Sequence, residues 1–156
     1  MNVTGWSRGL EVSDDGEGVV SHAGLALLRH LADQTGLTAG LSRALATARL
    51  LSHDRGRVLA DVACAIADGA KVISDVRVMG DQRELFGPVA SVPTAWRMLE
   101  EIAAGGSATA AQISAAVHAA RQRAWEQIAS RHGGLPGLRV ADQILEGVIG
   151  TGWMPP

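Results

Sequence analysis

The sequence predicts an all-α fold: an irregular multi-helix domain with one long helix, at about residues 109–131, and a ragged C-terminal tail. Apolar residues make up 47% of the 156 residues and charged residues 19%, so the chain can bury a core. Aromatic residues are only 3%, which leaves Ala, Leu, Val and Ile to build that core. Ala and Leu favour helix, and apolar residues recur at helical spacing in several windows.

Composition divides the chain into an arm, a domain and a tail. Residues 1–20 hold four acidic residues against Arg8 alone, which predicts a mobile acidic arm. Residues 21–132 form the predicted helical domain. Residues 133–156 are rich in Gly and Pro and form the tail, with at most a last helical turn and a strand at Val148–Ile149. Neither a signal peptide nor a membrane-spanning run is visible, so we expect a cytoplasmic protein without a membrane partner.

Caps and glycines set the expected helices of the first half. Ser21 precedes a helix that runs to about Gln34, and Gly36 ends it. A second helix is expected at about residues 38–48. Asp54 precedes a third helix, and Gly69 ends that one. The apolar stripes of the first and third helices are Leu25, Leu28, Leu31 and Ala32, and Leu59, Val62, Ala63 and Ile66.

The second half begins with short helical segments. Residues 73–79 form a short helix capped by Ser74, and residues 81–87 add roughly a turn and a half. Ser91 and Pro93 open the next helix, which runs to about Ala104. The long helix follows a "GGS" break at residues 105–107. Its apolar stripe is Ile113, Val117, Ala120, Ala124 and Ile128.

The residue types that carry catalysis or bind metals show no productive pattern, so we predict neither catalytic residues nor metal ligands. Cys64 is the only cysteine, and no histidine pair has metal-ligand spacing. The glycine pairs match no phosphate-binding loop. Aspartates recur every seven residues at Asp54, Asp61, Asp68 and Asp75. Helix caps and solvated helix faces explain them better than a metal site, since no strand would bring them together.

Arginines form two local groups in a chain of net charge −2. The first group is Arg43, Arg49, Arg55 and Arg57, opposed only by Asp54; in the second, Arg121, Arg123 and Arg131 face Glu126. Both groups could contact DNA phosphates, and both could equally be ordinary solvated arginines on helix faces. The near-neutral total argues against a strongly basic nucleic-acid clamp.

The stretch "GPVASVPTAWRMLEEI", residues 87–102, reads like the turn and second helix of a helix-turn-helix unit. Its apolar stripe is Val92, Ala95, Trp96, Leu99, Ile102 and Ala103. This spacing favours a packed Trp96, while a DNA contact by Trp96 remains the alternative. Thr94 and Arg97 point elsewhere and are candidate DNA contacts. Glu100 and Glu101 would repel phosphates, so the helix by itself is poorly suited to DNA recognition.

Residues 56–102 resemble the amino-terminal helical region of bacterial insertion-sequence transposases of the DDE superfamily. The likeness is carried by "ISDVRVMGDQRELFGPVAS", "PTAWRMLEEI" and "LPGLRVADQILEG", and it extends over about residues 18–148. The resemblance implies a region that binds the terminal inverted repeats of the element or helps to pair its ends. In the family an RNase H-like domain follows, and its three carboxylates hold divalent metal, Mg²⁺.

The chain departs from the family where the first catalytic aspartate is expected. After the segment matching "LRVADQILEGV" the sequence continues "IGTGWMPP", with no acid beyond Glu146. No catalytic residue can therefore be carried over, and the expectation is a truncated transposase that retains end recognition without strand transfer. Full-length transposase or a second copy would be its protein partners. The alternatives are a regulatory fragment that binds DNA or transposase and inhibits transposition, and an inert remnant.

Overall fold

Helices form almost all of the regular structure in this computed structural model, which describes residues 22–49, 51–134, 138–140 and 143–145. The predicted arm at residues 1–20 and the predicted strand at Val148–Ile149 lie outside these ranges. The all-α expectation is confirmed in the described part of the chain. The helices are α1 (Ala23–Gln34), α2 (Leu37–Ala44), α3 (Arg55–Ala67), α4 (Arg77–Gly80), α5 (Arg83–Phe86), α6 (Val92–Ala104) and α7 (Gly106–His132), with a 3₁₀ helix at Ile73–Val76 before α4.

The long helix α7 spans about 40 Å at 1.5 Å per residue. It begins at Gly106, earlier than the predicted residue 109, and Gly106 takes a left-handed conformation with φ +61° shortly after the end of α6. The predicted stripe is confirmed, since Ala120 is buried and the other four stripe positions are partly buried. The chain divides into two compact units within α7, between Ala120 and Arg121.

A short hairpin follows α7 in the C-terminal unit. β1 (Leu138–Val140) pairs antiparallel with β2 (Gln143–Leu145), and Leu138 lies opposite Leu145. At these positions the sequence predicts at most a helical turn. Strands of three residues are too short to show alternation, so their pattern cannot be told from that of a helical turn.

The N-terminal unit is built on the close crossing of α2 and α3. A Cβ atom added to Gly56 would lie 2.1 Å from the backbone nitrogen of Ser42, so only glycine permits this approach. Asp54 caps α3 as predicted: its Oδ1 accepts hydrogen bonds from the backbone N–H of Arg57 at 2.8 Å and from the Ser42 hydroxyl at 2.5 Å. The cap thereby ties the start of α3 to α2.

Three small apolar clusters form the core of this unit. One joins α1 and α3 to the short helices, the second joins α3 to α6, and the third joins α2 and α3 to the first half of α7. Their buried members are Leu25, Ala26, Ala32, Cys64, Met79 and Phe86; Val58, Ala90, Ala95 and Met98; and Leu41, Ala60 and Ala116. Small residues at these crossings let the helices approach closely.

Two predicted helix ends differ from the structure. α2 ends at Ala44 instead of about residue 48, with Leu45 buried as its C-terminal cap residue. The predicted short helix at residues 73–79 begins as a 3₁₀ turn. Asp75, rather than the predicted Ser74, accepts the hydrogen bonds at its N-terminus. The Asp75 Oδ2 atom accepts hydrogen bonds from the backbone N–H groups of Lys71 and Val72, at 2.9 and 3.2 Å.

Candidate nucleic-acid interface

The exposed face of α6 carries a mixed aromatic and charged surface. Ser91 is in an extended conformation before the helix and Pro93 lies in its first turn, as predicted. Ala95 and Met98 are buried against α3, so the opposite face is exposed. The exposed residues of α6 are Pro93, Trp96, Arg97, Glu100, Glu101, Ala103 and Ala104.

Arginines from two other segments converge on α6 at Glu101. The Arg55 guanidinium, at the start of α3, forms an ion pair with the Glu101 carboxylate. Arg49 Nη1, in the loop before α3, lies 3.8 Å from the other carboxylate oxygen. Arg97 precedes Glu101 by one helical turn and therefore shares its side of α6. We call Arg49, Arg55, Arg97, Glu101 and Thr94 the Glu101 surface.

The Glu101 surface carries three guanidinium groups against one carboxylate, a net charge of +2. Arg49 is the most accessible member, with 72% of its side chain exposed, while the Arg55 side chain is only 21% exposed. Thr94 is half-buried and accepts a 3.5 Å hydrogen bond from Arg97 Nη2. The structure thus brings together Arg49, Arg55, Thr94 and Arg97 from among the residues predicted to contact DNA.

Arg57, from the same predicted group, is engaged in holding the fold. Its Nη2 donates a 2.6 Å hydrogen bond to the backbone carbonyl of Phe86, and the side chain is half-buried. Phe86 is the last residue of α5, so this contact links α3 to the segment that leads into α6. The sequence offered no signal for this role, since the contact joins residues far apart along the chain.

The remaining predicted DNA contacts lie elsewhere on the molecule. Arg43 is exposed in the last turn of α2. No contact of its side chain with the Glu101 surface is found in the described ranges. Arg121 and Arg123 belong to the C-terminal unit, where both are exposed on α7. The two predicted arginine groups therefore have separate structural settings.

Trp96 is the clearest departure from expectation at this surface. The predicted packing of Trp96 in the core is wrong, because the residue is 54% exposed. Its indole Nε1 donates a 2.7 Å hydrogen bond to Glu100 Oε1, one turn along the helix. Met98 takes the buried position instead, beside Ala95. The helix is rotated relative to the predicted stripe, since Ala95 and Met98 are buried against α3 and Trp96 is exposed.

A buried ionic cluster beneath α1, α2 and α3 was not predicted. Arg29 is completely buried, and its Nε lies 3.3 Å from Asp61 Oδ1 while its Nη1 lies 3.8 Å from Asp33 Oδ1. Arg29 Nη1 also donates a 3.2 Å hydrogen bond to the Thr38 hydroxyl. The expectation that Asp61 lies on a solvated face is wrong. It is buried because Arg29 reaches it from the otherwise apolar face of α1.

Burial raises the pKa of Asp61 from 3.8 to about 6, although the charges of Arg29 and Arg57 oppose the rise. The folded chain therefore binds a proton more tightly at Asp61 than the unfolded chain does. We expect the contribution of Asp61 to stability to fall as pH rises from about 4 to about 6, by on the order of 3 kcal/mol in total.

Urea unfolding of wild type and Asp61→Asn across this pH range measures the effect. The stability difference between the two proteins isolates Asp61, because the other titrating groups are shared. As pH rises, the free energy of unfolding of Asp61→Asn should increase relative to that of the wild type. A difference that stays constant between pH 4 and pH 7 would contradict the assignment.

The other aspartates of the seven-residue series have local structural partners. Asp54 and Asp75 satisfy helix starts, and Asp68 pairs with the imidazole of His22. Cys64 is buried, and burial raises the pKa of its thiol to about 11. Within the described ranges, no three His, Cys, Asp or Glu side chains are grouped closely enough to hold a metal ion.

Comparison with known proteins leaves the chain without a matched relative. Neither a protein-family model, nor a curated protein, nor a solved structure matches it. Among the residues that the structure describes, no helix combines the length and the apolar character that crossing a membrane requires. The candidate function consequently depends on the Glu101 surface and on the sequence resemblance.

Proposed function

We propose that the helical domain binds duplex DNA through the Glu101 surface. We further propose that it serves as the end-recognition region of an insertion-sequence transposase. Its ligand would be the terminal inverted repeat of the element, and its protein partners would be further copies of the transposase. On this proposal it acts in the cytoplasm, where bacterial DNA lies. The observation that carries the proposal is the convergence of Arg49 and Arg55 on α6 beside Arg97.

The geometry of the arginines suits phosphate binding. Guanidinium groups offer several N–H donors in a planar fork, which matches the oxygens of a phosphate. Glu101 holds Arg55 and approaches Arg49 without burying either charge completely. The Arg49–Glu101 pair is exposed, and an exposed ion pair contributes little to stability. A phosphate can therefore take the place of the carboxylate beside Arg49 at small cost.

The shape of α6 is compatible with a groove. It is a helix of 13 residues, about 20 Å long, and its exposed face carries Arg97. The major groove of B-DNA admits an α-helix. Arginines that flank such a helix contact the phosphates on either side and fix its register. The likeness of residues 56–102 to transposase helical regions points to element ends as the DNA that is bound.

Selection from a random duplex library tests the proposal with the full chain. The enriched duplex should recur in inverted orientation on both sides of the coding sequence on the chromosome. Arg55→Gln and Arg97→Gln should each weaken binding to the selected duplex by roughly tenfold, the effect of losing one charge-assisted hydrogen bond. Arg77→Gln, on the exposed surface of α4, removes the same charge elsewhere and should leave affinity nearly unchanged.

Two results would reject the proposal. One is a selection that enriches no sequence and a chain that retains no duplex at low salt. The other is equal weakening by Arg77→Gln and by the two variants of the Glu101 surface, which would place binding on net charge alone.

A further inference from the structure

Trp96 is placed so that an unpaired base could stack on its indole ring. Trp96 is 54% exposed on α6, and Arg97 follows it about 100° further around the helix axis. The hydrogen bond from Nε1 to Glu100 engages the edge of the ring and restrains its orientation. A ring held by its edge can still stack through its faces. An exposed tryptophan with a fixed edge therefore requires an explanation other than core packing.

The neighbours of Trp96 discriminate between two kinds of partner. A protein partner would need a contiguous apolar surface. The exposed apolar residues on the side of α6 near Trp96 are only the small Pro93 and Ala103. The Glu100 carboxylate takes the edge of the ring, so the apolar surface beside Trp96 is small. A nucleobase needs only one aromatic face, together with cations nearby for its phosphate. Arg97 is adjacent in sequence, and Arg55 reaches the same helix at Glu101.

We infer that Trp96 stacks on an unpaired base, so that the Glu101 surface binds a duplex with an unpaired nucleotide more tightly than a fully paired one. The inference rests on the proposed function and narrows its substrate class. Arg97 holds the phosphate beside the extruded base, and the restrained indole takes the base face. Fully paired DNA meets the same arginines but leaves the indole without a base to stack on.

The test compares two 24-base-pair duplexes of the same sequence, one fully paired and one with a single unpaired thymidine in the centre. Full-length wild type should prefer the duplex with the unpaired thymidine by roughly tenfold, the effect of one base stacked on an aromatic ring. Trp96→Leu should abolish the preference while retaining affinity for the paired duplex. Trp96→Phe, which keeps an aromatic face, should retain most of the preference.

The variants are expected to fold, since Trp96 is exposed, and their melting curves should overlay that of the wild type. Paired-duplex binding without any preference in the wild type would overturn the inference and leave the proposed function intact. Absence of binding to both duplexes would overturn the two together. A preference retained by Trp96→Leu would also overturn the inference. A Trp96→Leu variant that loses self-association in sedimentation while its DNA preference is unchanged would overturn the inference as well. The ring would then bind a second copy of the chain.

Discussion

Arg29→Met is expected to destabilise the helical domain by about 3–5 kcal/mol, the cost of removing one partner from a buried ionic cluster. Arg29 is completely buried, and it is the cation that faces both Asp33 and Asp61. Methionine fills similar space but leaves Asp33 without this cation and Asp61 with only the charge of Arg57. Urea unfolding followed by helical circular dichroism at pH 7 measures the loss.

Two controls separate charge from packing in this experiment. Arg83→Met makes the same change on the exposed surface of α5 and should alter stability by less than about 0.5 kcal/mol. The triple variant with Arg29→Met, Asp33→Asn and Asp61→Asn removes all the charges and should regain part of the lost stability. If Arg29→Met were no more destabilising than Arg83→Met, the buried cluster would not have the role assigned to it.

Gly56→Ala should destabilise the domain by at least about 3 kcal/mol, the upper end of the usual cost of overpacking. The added methyl group would lie 2.1 Å from the Ser42 nitrogen and 2.3 Å from the Leu41 carbonyl carbon. Both are backbone atoms, so no side chain can rotate away and α2 must separate from α3. Because alanine ordinarily favours helix over glycine, the sign of the effect identifies the crossing as its cause.

Gly24→Ala is the matched control for Gly56→Ala. Gly24 lies in α1, and no atom lies within 4 Å of the Cβ position. This substitution should be neutral or stabilise the protein by up to about 1 kcal/mol through the unfolded state. Thermal melting of the two variants beside wild type gives the comparison. Similar melting temperatures for the two variants would mean that α2 and α3 do not cross as closely as described.

Local signals in the sequence were sufficient for most helices. Asp54 as a cap marks the start of α3, and the stripe of α7 identifies its partly buried face. The predicted stripe of α3 is wrong at Ala63 and Ile66, which are exposed. The cap and the stripe of α7 depend on residues within a few turns of one another, which is the range that periodicity and capping report. The prediction of an all-α fold needed no more than this.

These local signals do not determine which side of a helix faces its neighbour in the fold. Ala95 and Trp96 are adjacent in an amphipathic helix, and either could face inward by spacing alone. The surface of α3 decides between them, because it accepts Ala95 and Met98 and leaves Trp96 outside. Arg29 and Asp61 were missed for the same reason: each reads as a solvated charge until the two helices meet.

The sequence predicts the residues of the candidate site but not their arrangement in space. Arg49, Arg55, Thr94 and Arg97 were all chosen from the sequence. Their convergence on Glu101 joins the loop before α3 to a helix much later in the chain. Glu101 itself was regarded as a charge that would repel DNA. In the structure it also positions two arginines, which no local pattern indicates.

The salt dependence of duplex binding tests the central claim, DNA recognition by the Glu101 surface, most directly. The logarithm of the binding constant is measured against the logarithm of salt concentration, for wild type and for the double variant Arg55→Gln, Arg97→Gln. Each lost phosphate contact should reduce the steepness of the slope by roughly 0.9, so the double variant should be shallower by about 1.8. Equal slopes for the two proteins would contradict the account, because phosphate binding would then lie outside this surface.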